Sequence, residues 1–327
     1  MDNDHAAPPR DARNAKALVV ESFRAAIIGT ADAADRAQAG AAEAARAYRL
    51  AVHRARAAYR LVRHELSGGV RRRTRDLLRA AALDHEAEQL VPVALAALAG
   101  WSLAGDTRIT ADAVIEAVGR HAPSTDGIAD ELRAAAAEVT QADPATALAG
   151  AIPDDLRRRV LIRGVTESYR AARDAASGAH HSARRFRRWH RRCLDLALQL
   201  ELLGRSGPQT QLLASRYAAL AAEVGECADL LDAIALLRKP ADAPAPSEPR
   251  DEASLAAEQP SETEDLRRSL RAPLDERMRG VRDGARALFE DGGKTFARVL
   301  KAALRADAGD AGAAPDAADD ADPAPAA

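Results

Sequence analysis

Arg49, His53, Arg56, Arg60 and Arg63 follow one another at intervals of four and three residues. On a helix that spacing draws a single line about 21 Å long, at ~1.5 Å of rise per residue. Like charges in such a line repel by a few tenths of a kcal/mol per neighbour. Their guanidinium forks are shaped to hold phosphate or carboxylate oxygens two at a time. A second cationic run, RRFRRWHRR at 184–192, opens what reads as one helix ending near Gly204. Arg184, Arg187, Arg188, His190 and Arg191 all lie in its first turns, where the backbone dipole is already positive. Each cation there is unfavourable by roughly 0.3–1 kcal/mol, a cost that an anion seated over the helix start would offset. The chemistry implied is capture of an extended, phosphate-rich polyanion. Histidine adds a donor that titrates near neutrality, so binding is expected to tighten as pH falls toward 6. The plainer reading of either run is a solvated arginine face with its stems packed down.

Hydrolysis of such a ligand would need a metal-holding carboxylate cluster, or a nucleophile with a paired base. His85 beside Glu86, and Glu226 near Asp229, are sparse acids on alanine-rich helices, which are mostly solvated or capping. His180-His181 stands in a Gly/Ser loop without further ligands. Cys193 occupies a seam position and reads as a small buried hydrophobe, and Trp189 as an anchor between helices. A binding protein is expected rather than an enzyme, with neither metal nor cofactor.

The elements that position these residues are helical. Apolar residues make up 47% of the 327, but aromatics only 3%, and the apolar share is dominated by alanine and leucine. That composition favours helices over strands, and the fold class expected is all-α. No apolar run reaches the roughly 18 residues of a membrane span, and the first residues, MDNDHAAPPRDARNAK, lack a signal-peptide core. Cys193 and Cys227 form no zinc or disulfide pattern, which fits a reducing, cytoplasmic setting.

Charge divides the chain. The net charge of −2 conceals acidic segments at 240–265 and 306–327, the latter with six aspartates and no cation. The remainder is basic. The expected organisation is a disordered stretch at 1–14, a helical domain at 15–239 and an acidic Pro/Ala linker at 240–264. An amphipathic helical segment at 265–305 and a disordered acidic tail at 306–327 complete it. The 265–305 segment is expected as two or three short helices broken at Pro273 and Gly292-Gly293.

Within 15–239 an offset of 134 residues places AVHRARAAYRLVRHEL on RFRRWHRRCLDLALQL. Val52 then meets Phe186, Ala55 meets Trp189, Tyr59 meets Cys193, Val62 meets Leu196, and Leu66 meets Leu200. The steps of three and four describe the buried stripe of a packed helix. Two copies of one helical unit, at about 15–150 and 151–239, explain the match most simply. His53 corresponds to Arg187 and Arg56 to His190, so the His/Arg pair recurs exchanged, whereas Arg60 and Arg63 fall on Leu194 and Ala197.

The first helix resembles the His-x-x-Arg-x-x-x-Lys/Arg-x-x-Arg helix of the CHAD domain, the conserved histidine α-helical domain, through His53, Arg56, Arg60 and Arg63. In the second half, ESYRAAR is similar to its Tyr-Arg-x-x-Arg stretch through Tyr169, Arg170 and Arg173. RRWHRRCLDLALQLELL resembles its long Trp-containing helix at Trp189, Arg191, Arg192, Asp195 and the last leucines. LAAEVGECADLL is similar to a Leu-Gly-Glu-x-x-Asp-Leu segment through Gly225, Glu226, Asp229 and Leu230. The likeness spans about 15–239 and does not touch 240–327. It departs at Arg187, where the family has histidine, at His190 and Leu194, where it has basic residues, and at Ala57.

The resemblance implies two pseudo-symmetric helical bundles with a basic cavity between them. It also implies binding of inorganic polyphosphate or a related polyanion, in association with polyphosphate granules, without catalysis. The site residues it and the stripe together nominate are Arg49, His53, Arg56, Arg60, Arg63, Arg170, Arg173, Arg184, Arg187, Arg188, His190 and Arg191. Nucleic acid fits less well, since no aromatic residues interleave the cations and no recognition motif is present. A scaffold with little polyanion affinity, making protein contacts through the apolar faces of 266–305, is the alternative. The acidic tail reads as a solubilising segment, or as a tethered competitor for the basic groove.

Overall fold

The structure, a computed structural model, describes residues 10–38, 41–83, 127–236 and 262–309. Among these residues the chain is helical and contains no strand. The described residues form ten α-helices in chain order: α1 Arg10–Asp35, α2 Ala41–Val62, α3 Gly68–Leu83, α4 Ile128–Gln141, α5 Pro144–Ala151, α6 Arg158–Gly178, α7 Ala183–Gly204, α8 Pro208–Leu236, α9 Glu262–Phe289 and α10 Gly293–Asp307. The fold is an all-α helical bundle.

Helices α1 and α2 pack on each other, as do α7 and α8; α2 packs against both α6 and α7, and α9 and α10 pack on α8 and α6. All ten seam residues named from the 134-residue offset are buried, from Val52 through Leu66 and from Phe186 through Leu200. The period-3.6 pattern thus identified the inward stripe of each helix. Trp189 stands fully buried, edge-on to Phe186 at a centroid distance of 5.4 Å. Cys193 is buried beside it in the seam, and desolvation pushes its thiol far up.

Local signals set the ends. Ser182 accepts a hydrogen bond from the Arg185 amide at 3.2 Å and caps α7, so the arginine-rich turn has a conventional N-cap. Asp143 accepts from the Thr146 amide ahead of Pro144 and starts α5. Gly164 permits the contact between α6 and α2: a Cβ there would lie 2.8 Å from both the Cα and the carbonyl oxygen of Leu61.

Three boundaries differ from the sequence reading. α1 begins at Arg10, inside the stretch expected to be disordered, because Arg/Ala-rich sequence resumes directly after Pro8-Pro9. α9 begins at Glu262 and passes through Pro273 without ending. Its buried stripe, Leu270, Leu274, Val281, Ala285 and Phe289, continues on both sides of the proline. Burial worth about 1.5–3 kcal/mol per large side chain outweighs the ~3 kcal/mol cost of an interior proline. The 265–305 segment is therefore two helices, parted at Gly292. α10 extends to Asp307, a residue assigned to the tail. The Asp307 carboxylate accepts from the Gln209 and Thr210 amides, both at 2.9 Å, and from the Thr210 hydroxyl at 2.7 Å, capping α8. Burial pushes its pKa up, but these hydrogen bonds outweigh that and hold it below the usual carboxylate value.

The apolar face of 266–305, offered above to a protein partner, is covered by this chain. Phe289 and Phe296 join Tyr169 of α6 and Tyr217 of α8, with Tyr169 stacked on Phe296 at 4.1 Å. The Tyr169 hydroxyl donates to the Asp291 carbonyl at 2.6 Å and that of Tyr217 to the Leu288 carbonyl at 3.0 Å. The greater part of the linker, His85-Glu86 and the tail beyond Gly309 lie outside the described residues.

Candidate functional site

The α2 stripe and the opening turns of α7 come together. Arg49, Arg56, Arg60 and His190 all act electrostatically on His53, and Arg49 and Arg191 act on His190. Arg192 lies within reach of Arg56, Arg63, Arg188 and Arg191. This cluster of arginines and two imidazoles spans two helices that are 135 residues apart in sequence where Arg60 meets Asp195.

Both rings are largely withdrawn from water and deprotonated at neutral pH. Desolvation first, then Arg49 and Arg191, lower His190 to about 4. Desolvation, then Arg56, Arg49, His190 and Arg60, hold His53 well below its ordinary value. Both shifts run against the protonation near pH 6 expected from the sequence, because desolvation first and the surrounding cations second disfavour the charged ring. The Nδ1 of His53 is covered and has no hydrogen-bond partner.

Carboxylates enter the cluster from three directions. Arg60 pairs through NH1 with Asp195, which is 3% exposed, and Arg192 stands 4.0 Å from the same oxygen. Burial, then Arg192, Arg56 and Arg63, draw the Arg60 guanidinium down to about 9, still charged at neutral pH. Arg63 donates to Glu167 at 3.0 Å, and that carboxylate also meets His64 at 2.8 Å and Arg163 at 3.3 Å. Arg187 pairs with Asp232 of α8. Asp229, one turn before it, was expected to be solvated. It is instead partly buried, and desolvation raises its pKa to about 6 despite Arg49 and Arg46.

The twelve nominated residues therefore sort by surroundings. Arg49, His53, Arg56 and His190 form the heart of the cluster. Arg188 and Arg191 are exposed beside it, and Arg184 is exposed at the α7 start. Arg60, Arg63 and Arg187 belong to it but are engaged with carboxylates of this chain. Arg170 and Arg173 are directed elsewhere. Arg170 lies over Gly293, where a Cβ would collide with its side chain, and Arg173 donates to the Asp291 carbonyl at 3.4 Å. Both face the C-terminal hairpin, because Tyr169, directly before Arg170 and one turn before Arg173, is the anchor of that hairpin.

The nominated set left out Arg192, Asp195 and Asp229, which the sequence reading named only as motif matches or as a sparse acid, and Glu167 and Asp232, which it did not single out. Asp195 carried a signal: it is the first acid in the otherwise aliphatic run CLDLALQL, and an isolated acid inside a buried stripe implies a buried cationic partner. No group of three or more His, Cys, Asp or Glu that could hold a metal is present among the described residues. No described helix is long and apolar enough to cross a membrane. The chain matches no family model, no curated protein and no solved structure.

Proposed function

We propose that the chain binds inorganic polyphosphate or a similar phosphate-rich polyanion, without catalysis, across the cationic cluster of α2 and α7. On this reading it is a divergent CHAD-like protein whose two halves are related units lining a shared basic hollow. Association with polyphosphate granules in the cytoplasm follows from the same resemblance. The observation that carries the reading is the environment of His53: a covered, unpartnered Nδ1 ringed by Arg49, Arg56, Arg60 and His190. Clustered cations of one sign with an unfilled imidazole nitrogen are unfavourable alone and favourable around an anion. A bound phosphate would raise the imidazole pKa values, so binding takes up protons and tightens as pH falls below the bound-state value.

A second reading is favoured by the carboxylates. Asp195, Glu167, Asp229 and Asp232 offset much of the positive field, which is the arrangement expected of a scaffold with little polyanion affinity. Calorimetry with long-chain polyphosphate at 50 and 200 mM salt separates the two. Binding that weakens by orders of magnitude with salt, as on other polyanions, and by about tenfold or more in Arg49→Ala or Arg56→Ala, supports the first. Absence of heat at low salt removes it.

A further inference from the structure

The cationic stripe does not stop at Arg63. Tyr59, near the end of α2, donates from its hydroxyl to the Arg71 carbonyl at 3.0 Å and ties the start of α3 to that end. Burial raises the pKa of this hydroxyl, while Arg63, Arg71, Arg75 and Arg60 all pull against the rise. Guanidinium groups of both helices therefore gather round one ring. From Arg71, steps of four lead to Arg75 and Arg79, a second line about 12 Å long, with Arg72 on the same face. All four are exposed, whereas Thr74, Leu78 and Ala81 face inward.

This face is unlike the other exposed arginine surfaces of the chain. On α9 the arginines have acids a turn away: Arg268 with Asp265, Arg271 with Asp275, Arg286 with Asp283. That is how a solvated helix offsets its own charge. α3 carries five arginines against Asp76 alone. Asp76 pairs with its neighbour Arg75, both side chains more than half exposed, and α3 has no other ion pair among the described residues. Arg71, Arg75 and Arg79 are like charges one turn apart, which repel and are relieved by an anion that their forks can grip. At the junction of the two lines, Glu167 is shared by Arg63, His64 and Arg163. One carboxylate among two arginines and a histidine does not break the positive field.

Resting on the polyphosphate reading above, we infer that the site is bipartite. The α2–α7 cluster seats the ligand and the α3 arginines hold its continuation, so long polyphosphate chains are selected over short ones. Tripolyphosphate seated at His53 lies about 15 Å along the helix axis from Arg63 and does not touch α3. No aromatic residue is present on α3, so it grips phosphate without the stacking surface that single-stranded nucleic acid uses.

The test is calorimetric titration of the full chain with long-chain polyphosphate and with tripolyphosphate, at about 50 and 200 mM salt. The triple variant Arg71→Gln, Arg75→Gln, Arg79→Gln should bind the long chain about tenfold or more weakly, with a log–log salt slope shallower by about two. Its affinity for tripolyphosphate should be unchanged. Arg49→Ala should weaken both ligands. A control that removes equal charge elsewhere, Arg268→Gln with Arg286→Gln and Arg298→Gln, should bind both as wild type does. Urea midpoints establish that each variant is folded; should the triple variant not fold, Arg72→Gln with Arg79→Gln decides. Wild-type affinity of the α3 variant for the long chain overturns the inference. So does an equal loss of tripolyphosphate, an equal loss in the control, or single-stranded DNA that displaces the long chain at equal phosphate concentration. No heat from wild type with either ligand is a different failure: it removes the polyphosphate reading itself, and the inference falls with it.

Discussion

Replacing Arg60 by methionine tests whether α2 is held on α7 by a buried ion pair. Methionine keeps much of the apolar stem, so the change removes charge more than packing. Asp195 is 3% exposed and Arg60 19%, so the carboxylate left behind cannot turn to water. Breaking a buried pair from one side costs about 3–5 kcal/mol. Arg192, 4.0 Å away, remains as a partial counter-ion and places the expected loss at the lower end, about 3 kcal/mol. At ~2–4 °C per kcal/mol for chains of 150–250 residues, the melting temperature should fall by ~6–12 °C. The assay is urea unfolding followed by far-ultraviolet circular dichroism, run as a cycle with Asp195→Leu and the double variant. The double variant should recover most of the loss, since two apolar side chains in place of a buried pair are close to neutral. A loss under about 1 kcal/mol in Arg60→Met, or no recovery in the double variant, would refute the reasoning. Polyphosphate titration adds a second reading: Asp195→Asn releases Arg60 from its carboxylate and should tighten binding.

Acid should act through His190 and Asp229 in opposite directions. His190 titrates at about 4 in the fold against 6.5 for an ordinary histidine, so its contribution is complete above 6.5 and is lost as pH falls to 4. Asp229 titrates at about 6 against 3.8, so the folded state gains as pH falls from 6 toward 3.8. Each is worth about 3 kcal/mol by linkage. Asp229→Asn should therefore be more stable than wild type at pH 7 and lose that advantage by pH 4, read from urea midpoints at both values; a constant difference contradicts the assignment. Gly164→Ala places a methyl against the Leu61 backbone and should destabilise by about 1–3 kcal/mol, visible as a lower urea midpoint with unchanged slope.

The buried stripes were legible because a period of three and four residues is a strong local signal, and every seam residue is inside. The adjacency of the two cationic runs followed from the same stripes, since helices whose apolar faces meet bring their flanks together. What the sequence could not display was pairing across distance. Arg60 and Arg63 look identical to Arg56 along the chain, yet Asp195 and Glu167 reach them from helices more than 100 residues away. Arg170 and Arg173 were misplaced for a related reason: Tyr169, just before them, packs on the C-terminal hairpin, and nothing local in ESYRAAR specifies that partner. Pro273 misled because propensity is a per-residue tendency, and the leucines on both sides of it are held by tertiary packing.

The histidines change meaning once the cluster is seen whole. In sequence they read as extra cations poised near neutrality. Surrounded by arginines and desolvated, they are neutral rings, and a neutral ring among guanidinium groups does two things a cation could not. It occupies the centre without adding repulsion, and it leaves a nitrogen whose proton affinity depends on what sits over the cluster. An arriving anion raises that affinity, whereas Asp229, protonating near 6, withdraws a competing negative charge from Arg49 over the same range. On the proposed reading, anion capture and proton uptake are coupled by one geometry. That coupling would give the α2–α7 face a different character from a solvated arginine surface, whose affinity would depend on salt but scarcely on pH.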